Sequence, residues 1–155
     1  MPRFNKILCP VDFDQSSLPA LHTASQLARE DNAILYLLHV MKVAPRPEVA
    51  LPFRTTETAQ TRLERISHQN LQPETRCELL VMVGDPAVKV LQLARQLRAD
   101  LIVMATHGRK GLHHLVLGSV AERVVREAPC LVLTVKPKAA RARASRTQPR
   151  GPRRA

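Results

Sequence analysis

The residues with the most chemical promise lie between Met104 and Val120, in the run Met-Ala-Thr-His-Gly-Arg-Lys-Gly-Leu-His-His-Leu-Val-Leu-Gly-Ser-Val. Three of the chain's five glycines, Gly108, Gly111 and Gly118, fall inside it. The run begins in an apolar segment, Leu101–Met104, and ends where a helical pattern begins near Val120. A glycine-bearing loop between a buried strand and a helix N-terminus suits an anion. Backbone N–H groups can approach closely there, and the helix end adds partial positive charge. The chemistry expected is phosphate binding, with His107, Arg109 and Lys110 as further donors. His113 and His114 are adjacent, so their side chains diverge, and no cysteine or carboxylate lies near them in sequence; a metal site is not expected.

A second group, Pro10-Val-Asp12, closes an earlier apolar run. Ligands of open parallel sheets bind outside the carboxyl ends of strands, where strand order reverses. A carboxylate is a poor companion for phosphate but a good acceptor for an amino group or a ribose hydroxyl. A base or sugar is therefore expected near Asp12 and phosphates near the loop. Two established motifs are missing: G-x-x-x-x-G-K-[ST], and G-x-G-x-x-G after the first strand. Neither a P-loop NTPase nor a dinucleotide-binding domain is supported.

The elements that must position these groups alternate along the chain. Ile7–Val11 reads as a strand with Pro10 near its end. A helix follows with Leu18, Leu21, Ala24, Ser25 and Ala28 inward, capped by Asp14 or Ser16. Ala33–Val40 is a strand apolar enough to be buried on both faces, which makes His39 a hydrogen-bonded core residue. A proline-rich connection from Val43 to Phe53 leads to a helix with Ala59, Leu63 and Ile66 inward. Thr75–Val83 alternates early, as an edge strand does. Gly84-Asp-Pro-Ala87 ends that strand and starts a helix, with Asp85 as N-cap and Pro86 at its first position. Leu101–Met104 is the fourth strand. Gly118-Ser119 opens a helix carrying Val120, Val124, Val125 and Ala128, with Ser119 and Glu122 as a capping box. Leu131–Val135 is the fifth strand. Strand–helix alternation without a hairpin signal predicts an α/β fold, an open five-stranded parallel sheet with helices on both faces, Rossmann-like. An order of 3-2-1-4-5 would bring Asp12 and the glycine loop together.

Composition narrows the class. At 155 residues and 45 % hydrophobic content, one domain with a real core is expected. No apolar run is long enough for a membrane span, and no secretory segment precedes the first strand, so a cytoplasmic protein is expected. The three cysteines, Cys9, Cys77 and Cys130, are scattered in apolar runs and read as reduced core residues. The net charge of +11 is concentrated at one end: residues 136–155 hold eight Lys or Arg and no Asp or Glu, leaving +3 for residues 1–135. The expected division is a domain over 1–137 and a disordered basic tail over 138–155. That tail could touch nucleic acid or an anionic surface, without aromatic stacking.

Met104-Ala-Thr-His-Gly-Arg109, Leu117-Gly-Ser-Val-Ala-Glu122, Ile7-Leu-Cys-Pro-Val-Asp12 and Leu38-His-Val40 together resemble the universal stress protein family, over residues 4–136. Nucleotide-binding members carry G-x2-G-x9-G-[ST]; Ala105, Gly108, Gly118 and Ser119 stand at those positions, so alanine replaces the first glycine. The resemblance implies an ATP or AMP site, with or without magnesium, in a regulatory stress-response homodimer paired through Leu131–Val135. It implies that Asp12 and the Val40 backbone contact adenine, and that Pro10 and Ala105 lie against the ribose. Met104, His107, Gly108, Gly118, Ser119 and Val120 would surround the phosphates. Two alternatives stay open: a slow ATP hydrolase or self-phosphorylating protein, and a dimeric scaffold whose site Ala105 has closed.

Overall fold

The computed structural model describes residues 3–42, 53–106 and 117–136. Five strands and four helices alternate: β1 (Lys6–Pro10), α1 (Leu18–Asp31), β2 (Ile34–Met41), α2 (Phe53–Asn70), β3 (Cys77–Val83), α3 (Pro86–Leu97), β4 (Leu101–Ala105), α4 (Ser119–Glu127) and β5 (Leu131–Val135). A short 3-10 turn, Gln15–Ser17, leads into α1. All pairings are parallel, in the order β3-β2-β1-β4-β5. The expected topology is therefore present, with the reversal of strand order between β1 and β4.

Strand alternation splits the apolar residues between two layers. Ile7, Cys9, Leu35, Leu37, Leu101 and Val103 pack against Leu21 and Ala24 of α1 and Leu63 of α2. Leu8, Tyr36, Leu38, Ile102 and Met104 face the other way, onto Val90, Leu91 and Ala94 of α3 and Val124 of α4. The central strands are covered on both sides, which is why they read as continuous apolar runs. Both edges leave apolar side chains in the open: Leu131 is 60 % and Leu133 38 % exposed on β5, and Val83 is 41 % exposed at the end of β3.

At the amino ends of the strands, one carboxylate fixes β1 beside β4. Asp100, just before β4, accepts from the backbone N–H of Asn5 and Lys6 through the same oxygen, at 2.8 and 2.9 Å. Lys6 Nζ returns a bond to the Leu97 carbonyl at 3.0 Å. These contacts set the level at which the two strands run forward together.

Several local expectations need correction. The capping box is absent: the N-cap of α4 is Gly118, in extended backbone and without a side-chain cap, so Ser119 is the first helical residue. Glu122 instead meets Arg126 one turn on, at 3.3 Å. Neither Asp14 nor Ser16 caps α1 through its side chain; Ser17 stands at that position, and its side chain makes no capping bond to the helix. The Asp14 carbonyl accepts from both the amide and the hydroxyl of Ser17, and Ser16 Oγ is buried without a partner among the described residues. In α4, Ala121 turns inward and Val125 is exposed, because one turn packs only one side against α3 and β5. Of the cysteines only Cys9 is core; Cys77 and Cys130 are half-buried, and all three are free. Asp85 does cap α3, accepting from Val88 N at 2.9 Å, with Pro86 behind it. The Val43–Phe53 connection lies mostly outside the described residues.

Candidate functional site

The cleft begins with where pairing stops. β1 pairs with β2 from Lys6 to Pro10, but with β4 only at Ile7↔Leu101 and Leu8↔Ile102. The Val11 N–H donates to Leu38 O of β2 at 2.8 Å. Successive residues of a parallel strand aim at opposite neighbours, so the Pro10 nitrogen aims at β4, and it carries no hydrogen. Proline at this position removes the next rung, and β1 and β4 part at their carboxyl ends.

The registers carry three residues to one level. Pro10 is opposite Leu38, so Asp12 falls opposite Val40. Leu8 is opposite Ile102, the last paired level, and Asp12 and Thr106 each lie four residues further along their own strands. The ladder continues on the far side, where Thr106 N donates to Val135 O at 3.1 Å. Asp12 is half-buried, and one of its oxygens accepts from Asp14 N at 3.1 Å, closing the turn after β1.

The start of α4 is tied to the same edge. Gly118 N donates to Thr106 O at 2.7 Å, so the chain that leaves β4 at Thr106 returns to it at Gly118. Gly118 has φ −72 and ψ 161, a conformation open to any residue. Its amide is committed to Thr106, and the first intrahelical bond runs from Glu122 N to Gly118 O at 2.8 Å. The amides of Ser119, Val120 and Ala121 therefore have no intrahelical acceptor and face outward with the positive end of the helix. A carboxylate acceptor and a trio of amide donors thus stand on either side of the reversal point.

Ala105 is the last residue of β4, level with Val135. Its backbone is that of a strand, and it is not among the residues with positive φ. Its methyl packs with the layer under α1. The side chain of Met104 is buried in the opposite layer, and its backbone pairs with β5 opposite Thr134, so it offers the cleft no donor. Val40 and Val120 are half-buried against that same layer. His107 and Gly108 lie outside the described residues, as do Arg109, Lys110, Gly111, His113 and His114.

His39 does make a hydrogen bond, from Nδ1 to the Val11 carbonyl at 2.9 Å, and is half-buried rather than core. Three residues near the cleft were not singled out from the sequence. Thr106, buried, links β4, β5 and α4; a hydroxyl residue just beyond a buried strand was its only signal. Phe13 has φ 66 and stacks on His39, with ring centroids 3.8 Å apart and planes 23° from parallel. Arg62 of α2 sets its guanidinium 4.4 Å from the Phe13 ring centre. Burial, and to a lesser degree the charge of Cys77, holds the Cys9 proton far above the usual thiol range.

The fold is shared with related proteins. The model of the universal stress protein family matches residues 3–136. A universal stress protein of Methanocaldococcus jannaschii, MJ0531, is 34 % identical over 142 residues, covering 86 % of this chain and 82 % of its own. The solved structure of MJ0577 from the same organism is 28 % identical with a TM-score of 0.80, covering 90 % of this chain and 100 % of that one. A universal stress protein solved in complex with cAMP shares the fold at 24 % identity and a TM-score of 0.72, over 88 % of this chain and 99 % of that one. Fold, strand order and sequence agree: this chain belongs to the universal stress protein family.

Proposed function

We propose that the cleft between β1 and β4 binds an adenine nucleotide, ATP or AMP, and that the protein is a non-catalytic, cytoplasmic stress-response regulator acting as a homodimer. One observation carries this reading: Asp12 and the amides of Ser119, Val120 and Ala121, which have no intrahelical acceptor, belong to the same edge of the sheet, on opposite sides of the strand reversal. Asp12 and the Val40 backbone receive the base, and Pro10 and Ala105 flank the ribose. The amides of Ser119 and Val120 hold phosphate oxygens, beside Gly118, whose own amide is taken by Thr106 O. Their partial positive charge favours the anion by about 1 kcal/mol or less at an exposed helix end. His107 and Gly108 belong to the phosphate side in this reading. The related structure with cAMP supports an adenine ligand for the fold.

The alanine at position 105 is compatible with this role, since a strand backbone costs alanine nothing that glycine would avoid. The homodimer rests on β5, an edge strand with two exposed leucines on one side. Titration calorimetry with ATP and with AMP tests the reading. Saturable heat with one nucleotide per chain is the expected result. Absence of heat and of any thermal shift at millimolar nucleotide overturns it in favour of a scaffold.

A further inference from the structure

We propose that the aromatic stack of Arg62, Phe13 and His39 is a positioning element that aims the Asp12 carboxylate at the ligand; the inference rests on the nucleotide reading above. Phe13 directly follows Asp12, and its backbone is left-handed at φ 66. A phenylalanine there is strained and persists only where its surroundings over-determine it. Those surroundings come from two different elements. His39 of β2 covers one face of the ring at 3.8 Å, which leaves the other face for the Arg62 guanidinium of α2, at 4.4 Å.

The stack closes on itself through the backbone. His39 Nδ1 donates to the carbonyl of Val11, the residue before Asp12, and the Val11 N–H is held by Leu38 O. Asp12 is thus gripped from both sides: Val11 by two hydrogen bonds, Phe13 by two stacked groups. On its own side chain, one oxygen is already taken by Asp14 N. Among the described residues the other oxygen makes no hydrogen bond, and it remains as an acceptor for an N–H or O–H donor. The ligand class this selects is a nucleoside with an amino group or a hydroxyl at that point. A polyphosphate without a base would gain nothing from it.

The test uses the full chain and two readouts, hydrogen exchange at the Asp14 amide without ligand and ATP titration calorimetry. Four variants are needed: Phe13→Leu, Phe13→Tyr, Asp12→Asn and the Phe13→Leu/Asp12→Asn double, with Arg62→Gln as an exposed-site alternative should Phe13→Leu fold poorly. The expected result is faster Asp14 exchange in Phe13→Leu or Arg62→Gln and about tenfold weaker ATP binding in Phe13→Leu, the scale of one charge-assisted hydrogen bond. Phe13→Tyr restores both, and Phe13→Leu adds no further loss once Asp12 is asparagine. ATP binding by the wild type with unchanged Asp14 exchange, or with losses that simply add, overturns the role of the stack alone. No ATP binding by the wild type overturns the nucleotide reading and this inference with it.

Discussion

At Ala105 a single methyl group decides whether the site is open. From sequence the question stays open, because alanine is harmful only if the position needs positive φ or sub-methyl clearance. The strand backbone answers the first point, and on the second the methyl packs with the layer under α1. Ala105→Gly should therefore leave ATP affinity within about threefold and lower stability by about 0.5–1 kcal/mol, read by calorimetry and thermal melting. A large gain in affinity would show that the methyl obstructs the ribose. Asp12→Asn should weaken ATP binding about tenfold while the melting temperature changes little, since asparagine keeps an oxygen for Asp14 N. Pro10 and Asp12 were legible because a strand's carboxyl end is visible as the close of an apolar run. Phe13 was not, because residue type carries no sign of a left-handed backbone when the residue is not glycine or asparagine. Met104 illustrates a different limit: strand alternation turned its side chain into the core while its backbone pairs with β5.

Among the elements, helix starts show where local sequence is sufficient and where it is not. Gly84-Asp-Pro-Ala87 specifies its own cap, since Asp85, Pro86 and Val88 are all that the motif requires. Asp85→Ala should cost about 1 kcal/mol in chemical denaturation, with ATP affinity unchanged. A cost near zero would mean that the bond to Val88 N contributes nothing. Ser119 and Glu122 have the same kind of spacing, yet the helix starts one residue earlier. The competing contact is Gly118 N to Thr106 O, a tertiary bond that a local motif cannot contain. β5 was legible as an edge from its place after β4. Which residues it exposes was not, because that depends on α4 covering one side. Val132 packs against the α3–α4 layer, whereas Leu133 is open. Leu133→Glu should thus give a folded monomer in sedimentation; a persistent dimer would place the interface elsewhere.

For the whole molecule, alternation of apolar runs with helical periodicity was enough to predict a parallel sheet with helices on both faces. The order β3-β2-β1-β4-β5 does not follow from alternation itself, but it is the one that sets the end of β1 beside the end of β4. What alternation could not supply was the level at which β1 meets β4, which depends on Asp100 bonding Asn5 and Lys6 from a distant part of the chain. The loop from Thr106 to Gly118 likewise takes its closing bond from two residues that are far apart in sequence. Global stability should also register the buried thiols. Burial, against weaker opposing pulls from the Leu37 backbone and Ser67, pushes the Cys77 thiol from 9.0 up to about 11. Its folded state holds the proton more tightly, so this contribution is intact below pH 9 and declines as pH rises toward 11. Denaturant melts across that range should show falling stability, and Cys77→Ser should flatten the slope. The account as a whole depends on base and phosphate recognition meeting in one cleft, and an ATP titration followed by backbone amide NMR tests that directly. The account predicts that the amides of Val40, Asp14, Ser119 and Val120 shift together along one saturation curve. Shifts confined to one side of the strand reversal, or to neither, would contradict it.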